Sequence, residues 1–498
     1  MIERYEDEVL KKIWSLGNKY SFWQITELAV IRAMALLGQM KTIFAGKVIL
    51  QKIQNILTAK EIDERWIDER EKDIKHDLNA FLDERLRHLP PELQQYLHKR
   101  ITSFDTEESA FVKMLQGSCE LINALGEKLN DVLRKRALRY RHTIMNGRTH
   151  GQEAELQTEG KRNLCWHADL RLDLENLNKA MIWIRFSKIS GAIGTYGGIN
   201  PKLEQKALAE MGLKPYYGAT QIMPREAYAP LAQALCQIVQ TMNKIALTIR
   251  LGARSGRPIY QESFGKKQKG SSAMPHKKNT ISCEQIEGMA RMALGFSQMI
   301  QMNIPTWEER AIEQSSVERV AWPDLFHVTA RSLKVIHNVL NDLIVFPDNM
   351  LAEIVESRGC YASGEAKELL KEFCQKYDAD NETAYRIVQL AAFNAFNPSG
   401  LRLRFRAAMA ESLDDADNLL NNFKKLEPVP ASSIKDIIMN GRLDTSDELE
   451  ATADRVLAWN EMLNHIFRSE ENQRRWIEIF KPSFLLRNEA FLYEKILG

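Results

Sequence analysis

DTEESAFVKMLQGSCELINALGEKLNDVLRKRALRYR, residues 105–141, contains no proline. Phe111, Leu115, Ile122, Leu125, Leu129 and Val132 recur in it at intervals that trace one face of a helix. At a rise of about 1.5 Å per residue, such a rod is about 50 Å long, more than an ordinary domain needs. Comparable helices are predicted at 160–189, 224–253, 281–303 and 307–345, the last interrupted by Pro323. Strand alternation is scarce. Five long helices joined by polar, glycine-containing turns read as an all-α fold built on an elongated five-helix bundle. A bundle this long leaves much side surface, which favours self-association.

Working outward, Trp14, Phe22, Ile25, Leu28, Ala29, Ile31, Arg32 and Ala35 give the opening segment a helical period that ends near Gly38. The pattern breaks around Leu89, Pro90 and Pro91, which makes 89–104 a junction. After Phe346, Pro347 and Asp348 the helices shorten, with breaks at 398–400 and 428–430. Three helical domains are therefore expected: 1–104, 105–345 and 346–498.

A chain of 498 residues can bury a large interior. Its 68 Lys and Arg nearly balance 66 Asp and Glu, so the chain as a whole has no electrostatic preference for nucleic acid or an anionic membrane. No stretch is apolar enough for a membrane span, and the charged start MIERYEDEVLKKIW is unlike a secretory signal. Six cysteines lack CxxC spacing, which suggests neither a zinc site nor a disulfide framework. The expected location is the cytoplasm.

Chemistry-bearing residues concentrate in the predicted turns. Residues 270–284, GSSAMPHKKNTISCE, offer a proton acceptor in Ser271 or Ser272, a cation in Lys277, an amide in Asn279 and an acid in Glu284. The same residues would also make an ordinary basic surface loop. NGRTHG, 146–151, sets Arg148, Thr149 and His150 between glycines at what reads as a helix boundary, pairing a donor with a general acid. KHD, Lys75 to Asp77, equally fits a helix surface. In ITSFD, 101–105, Thr102 or Ser103 would cap a helix whose N–H groups suit a carboxylate. Arg310, Ser315 and Arg319 either face one anion or pair with Glu309 and Glu318. A metal centre is not suggested, because no histidines share helical spacing with a carboxylate in an HExxH pattern. A Ser271–His150–Glu284 hydrolase lacks the GxSxG strand-turn-helix context.

The order of these motifs resembles a known family. GSSAMPHKKN followed by Glu284 is similar to the mobile signature loop of the fumarase/aspartase superfamily, GSSxMPxKxNP. Within it the chain most resembles adenylosuccinate lyase, through IERY, KHD, ITSFD, GRTHG, SGAIGTY at 190–196, TQ at 220–221, SSVER, VFPDNM and AYRIVQ. The resemblance implies a homotetramer with a helical core and active sites shared by three chains. It implies elimination of fumarate from a succinylated purine nucleotide without metal or organic cofactor, and neither nucleic acid nor membrane as partner. Ser271 would be the general base and His150 the general acid, oriented by Glu284, with His76 and His98 lining the site. Lys277, Asn279, Thr102, Ser103 and Thr149 would hold carboxylates. Arg4, Tyr5, Ser315 and Arg319 match phosphate-holding positions, and Arg310, Gln221, Lys75 and Asp77 further substrate contacts.

Departures fall close to this site. Thr280 replaces a proline. The family's HAEPTTFG after GRTHG is here Glu153, Ala154, Glu155, Leu156, Gln157, Thr158, Glu159 and Gly160, and His98-Lys99-Arg100 stands where a Tyr-Gly pair is commoner before ITSFD. Glu153 and Gln157 would suit a different amine. The alternatives are thus another superfamily lyase releasing fumarate from a different succinyl-amine, or a non-catalytic structural member.

Overall fold

The computed structural model describes residues 1–498 except 41, 266, 268–270, 272, 378, 380, 397–431 and 447–448. The breaks expected at 398–400 and 428–430, together with Gly270 and Ser272, lie outside the described residues. The protein is all-α, with a few short strand pairs. Its contacts gather into two compact units, one of Met1–Leu133, Trp166–Gly252 and Gln261–Leu343, the other of Arg134–Cys165, Ala253–Tyr260 and Ile344–Gly498. Among the described residues, no helix is long and apolar enough to cross a membrane.

The stretch that set the fold class forms one helix, Ser103–Arg139. Among its fully buried positions are Val112, Leu115, Cys119, Ile122, Leu129 and Leu133, spaced by three or four residues apart from one seven-residue step. Phe111, Leu125 and Val132, expected on that stripe, sit half-buried at its edges. Each buried aliphatic side chain contributes about 1.5–3 kcal/mol by leaving water. In the first unit, Ala229–Gly252, Ile281–Gln301 and Glu313–Asp342 pack against one another. Pro323 does not interrupt the last of these, contrary to expectation. The helix runs through it, and begins at Glu313 rather than near 307. A β-carbon on Gly126 would stand 2.5 Å from Leu174 Cδ2, so the glycine lets the helix Glu159–Ala180 approach closely.

Near the chain start, Ser15 Oγ accepts the Asn18 N–H at 3.2 Å to begin the helix Leu16–Leu36. It ends at Gly38, with φ +68°, where the Gln39 N–H returns to the Met34 carbonyl at 2.9 Å. Tyr20, Trp23, Val30, Ile31 and Met34 form its buried face, and Ile25, expected inside, is exposed. Buried charge ties these elements together. Arg225 donates to Glu108 at 3.0 Å and to Glu318 at 2.7 Å, and the Tyr228 hydroxyl reaches Glu108 at 2.7 Å. Both carboxylates are thus paired, the condition under which buried ions are tolerated.

The second unit is a cluster of short helices whose core includes Leu370, Ile387, Leu390, Ile438, Leu463 and Trp476. It also holds an antiparallel hairpin of Ile144–Thr149 and Gln152–Thr158. Glu159, fully buried at its end, accepts from Asn163 Nδ2 at 2.7 Å and from the Tyr260 hydroxyl.

Candidate functional site

In the first unit, Lys75 ends the helix Glu64–Ile74 with φ 54°, and His76 Nδ1 caps the next helix by accepting the Asn79 N–H at 3.3 Å. KHD is therefore a corner between helices rather than a helix surface. Asp77 follows it and accepts from Lys19 at 3.2 Å and from Arg319 at 2.6 Å. Burial alone would raise the Asp77 pKa, but the two cations outweigh it and hold the group below its ordinary value. Of the two alternatives for Arg319, an ion pair is realised, but with Asp77 instead of a neighbour in its own motif.

Arg310 donates to Gln221 Oε1 at 2.9 Å, and its guanidinium lies 3.8 Å from the centre of the Phe104 ring. Gln221 is fixed in turn by its own Nε2, which reaches the Ala192 carbonyl at 2.9 Å, and by Lys188, which donates to the Gln221 carbonyl at 3.0 Å. Lys188 is fully buried and also pairs with Asp105 at 2.5 Å. Asp105 accepts the Thr102 N–H at 2.8 Å and the Ser190 N–H at 3.0 Å. At the start of the long helix, then, a carboxylate reaches back to Thr102, in place of the Thr102 or Ser103 cap read from the motif. The Asp105–Lys188 tie joins ITSFD, the SGAIG segment and Gln221. It was not singled out from the sequence, because its partners are distant in the chain.

His98 has φ 53° and meets Glu27 twice, through its N–H at 2.9 Å and Nδ1 at 2.8 Å. Burial would lower its pKa, yet the Glu27 carboxylate overrides that and raises it. Arg4 and Tyr5 form a short 3-10 turn, with the Arg331 guanidinium 5.9 Å from the Tyr5 ring. Ser315 and Arg319 line a cavity of about 270 Å³ with Lys19, Glu107, Trp23 and Phe104.

Ser271, half-buried, accepts the N–H groups of Ala273 at 3.3 Å and Met274 at 3.2 Å on its hydroxyl oxygen. Lys277 and Lys278 are exposed and Asn279 is half-buried. Thr280 makes no capping bond to the following helix. Instead Glu262 accepts from the N–H groups of Cys283 at 2.9 Å and Ser282 at 3.2 Å. Glu284 lies 3.6 Å from Arg250.

His150 and Thr149 belong to the second unit. The NGRTHG motif is no helix boundary: it is the tip of the hairpin, with Thr149 opposite Gln152. His150 and Gly151, with φ 52° and 78°, are its two-residue turn, the positive-φ pair that a type I′ turn requires. His150 is thereby presented exposed at a tight tip. Glu153 and Gln157 line an open cavity of about 580 Å³ with Thr149 and Tyr361. Glu153, 3.4 Å from Arg148, has its pKa raised by burial, with Glu353 adding to it. Leu156 and Glu159 are buried, so those two departures serve the interior of the hairpin and its attached helix.

Residues 2–295 match the Lyase family. The chain is 35% identical over 400 residues to the adenylosuccinate lyase of Synechocystis, covering 80% of this chain and 90% of that one. It is 36% identical over 397 residues to that of Aquifex aeolicus, covering 80% and 88%. With the Bacillus subtilis adenylosuccinate lyase it shares 34% identity over 350 residues, 70% and 79% of the two chains. Among solved structures, a fumarate lyase from Mesorhizobium has a TM-score of 0.70 at 19% identity, covering 96% of this chain and 99% of its own. A β-carboxy-cis,cis-muconate cycloisomerase from Acinetobacter calcoaceticus has a TM-score of 0.73 at 18% identity, covering 99% and 98%. The fold seen here is thus the fold of those enzymes, and the chain is a lyase of the fumarase/aspartase superfamily that belongs to its adenylosuccinate lyase family.

Proposed function

We propose that this enzyme eliminates fumarate from adenylosuccinate to leave AMP, and likewise from the succinylated carboxamide ribotide of purine synthesis. The observation that carries the reading is the identity of about one residue in three with adenylosuccinate lyases across four fifths of the chain. In this reaction a base removes a proton beside a carboxylate, the carbon–nitrogen bond breaks, and an acid protonates the leaving nitrogen. Ser271 is the base and His150 the acid. A serine needs help to give up its proton, and the two N–H groups aimed at Ser271 Oγ favour the deprotonated oxygen. The dianion that develops on the substrate calls for cations and donors, supplied by Lys277, Asn279, Thr102, Ser103 and Thr149. His76 and His98 line the site and Glu284 orients His150. Arg4, Tyr5, Ser315 and Arg319 hold the phosphate, with Arg310, Gln221, Lys75 and Asp77 as further contacts.

The working form in this account is a cytoplasmic homotetramer whose sites draw on three chains, each of three helical segments divided near 104 and 345. Exposed Leu247, Met292, Leu294 and Met299 on the long helices support the association. A second reading, cleavage of a different succinyl-amine, rests on Glu153 and Gln157 at the open cavity beside Thr149.

Substitution of Ser271 separates binding from chemistry. Ser271→Ala is expected to bind AMP within about threefold of wild type while kcat falls about a thousandfold or more, because a proton-transfer group acts only in the transition state. Near-normal turnover would remove Ser271 from the role. Release of fumarate from another succinyl-amine, with adenylosuccinate left intact, would favour the second reading.

A further inference from the structure

Glu107 lies one helical turn beyond Ser103, so the two share a face of the helix Ser103–Arg139. It lines the cavity of about 270 Å³ that also contains Ser315 and Arg319. The surrounding charges are already engaged. Lys19 and Arg319 pair with Asp77, Arg310 bonds Gln221 over the Phe104 ring, and Arg225 is held by Glu108 and Glu318. Among the described residues, Glu107 itself has no hydrogen bond or ion pair, whereas its neighbour Glu108 has several. A carboxyl facing a cavity without a partner is unusual enough to need one from outside.

The chemistry of the cavity selects that partner. The Glu107 carboxyl itself would repel a phosphate, so a phosphate held by Ser315 and Arg319 must turn a neutral part of its ligand toward Glu107, and an ammonium there would have to sit among Lys19, Arg310 and Arg319. A hydroxyl both donates and accepts, so it matches the carboxyl in either protonation state. Carboxylates recognise sugar hydroxyls in the same way in dinucleotide sites. Apolar walls from Trp14, Trp23, Phe104 and Phe111 leave room for the C–H face of a sugar ring.

We propose that Glu107 is a specificity residue that binds a ribose hydroxyl of the nucleotide whose phosphate sits at Ser315 and Arg319, and so separates ribonucleotide from deoxyribonucleotide substrates. This rests on the reading of the substrate as adenylosuccinate. The test is kcat/KM for adenylosuccinate and for its 2′-deoxy and 3′-deoxy analogues, with wild type, Glu107→Gln and Glu107→Ala. Wild type is expected to lose about tenfold or more on one analogue, since the half-buried carboxyl, enclosed by the ligand, is then left unpaired. Glu107→Ala should bring ribose and deoxyribose substrates within about twofold of each other, and Glu107→Gln, which keeps an acceptor, should fall between. Equal use of all three substrates by wild type, or the full wild-type ratio in Glu107→Ala, would overturn the assignment while leaving the lyase reading intact. Should Glu107→Ala not fold, the wild-type ratio and the Glu107→Gln variant decide the matter. Failure of wild type to cleave adenylosuccinate at all would instead strike the substrate reading and this proposal with it.

Discussion

Glu107 also has a consequence for stability. Burial, reinforced by Asp77, pushes its pKa up to about 7, against the opposing pull of Lys19, Arg310 and Arg319. An acid whose folded pKa lies above its unfolded value keeps its proton more tightly in the folded state. Its ionisation therefore costs stability progressively as the pH rises from the ordinary carboxylate range to about 7, and the cost is constant above that. Glu107→Gln removes the titration. Thermal unfolding at pH 5 and pH 8 should show the variant gaining on wild type at the higher pH, and parallel behaviour of the two proteins would contradict the account. Asp77 shifts the other way despite its burial, because Lys19 and Arg319 are in direct contact with it. Neither direction was legible in KHD or ITSFD alone, since each depends on partners far along the chain.

At the scale of elements, the long helices were legible because a buried stripe repeats at helical spacing over many turns, as from Val112 to Leu133. The hairpin was not. Its strands are short, a bulge breaks their alternation between Asn146 and Arg148, and the His-Gly tip lacks the Asn-Gly signature of such turns. The helix Ile281–Gln301 starts where its sequence period does, but its cap, Glu262, lies about twenty residues upstream and has no local signature. Glu262→Ala should cost about 1 kcal/mol, the usual worth of a cap at a helix N-terminus. Because Asn279 and Lys277 immediately precede that helix, the variant should also lower kcat/KM. Denaturant unfolding with kinetics on the same preparation checks both, and a variant unchanged in stability would show that the cap is idle.

For the whole molecule, the motif series identifies the superfamily but not where each residue stands. Thr102, Arg310 and Arg319 belong to one unit and Thr149 and His150 to the other. If each site takes Ser271 and His150 from different chains, two inactive proteins can complement. Ser271→Ala and His150→Gln, mixed by reversible dissociation, should recover activity in about a quarter of the sites when chains associate at random. No recovery, with mixed oligomers verified by light scattering and mass measurement, would place both groups in one chain.

The reaction is tested by mixing purified protein with adenylosuccinate and following ultraviolet absorbance, with separate quantitation of the products. AMP and fumarate should appear in equal amounts, and Ser271→Ala should produce neither at a measurable rate. Unchanged adenylosuccinate, under conditions where the same protein releases fumarate from another succinyl-amine, would contradict this expectation.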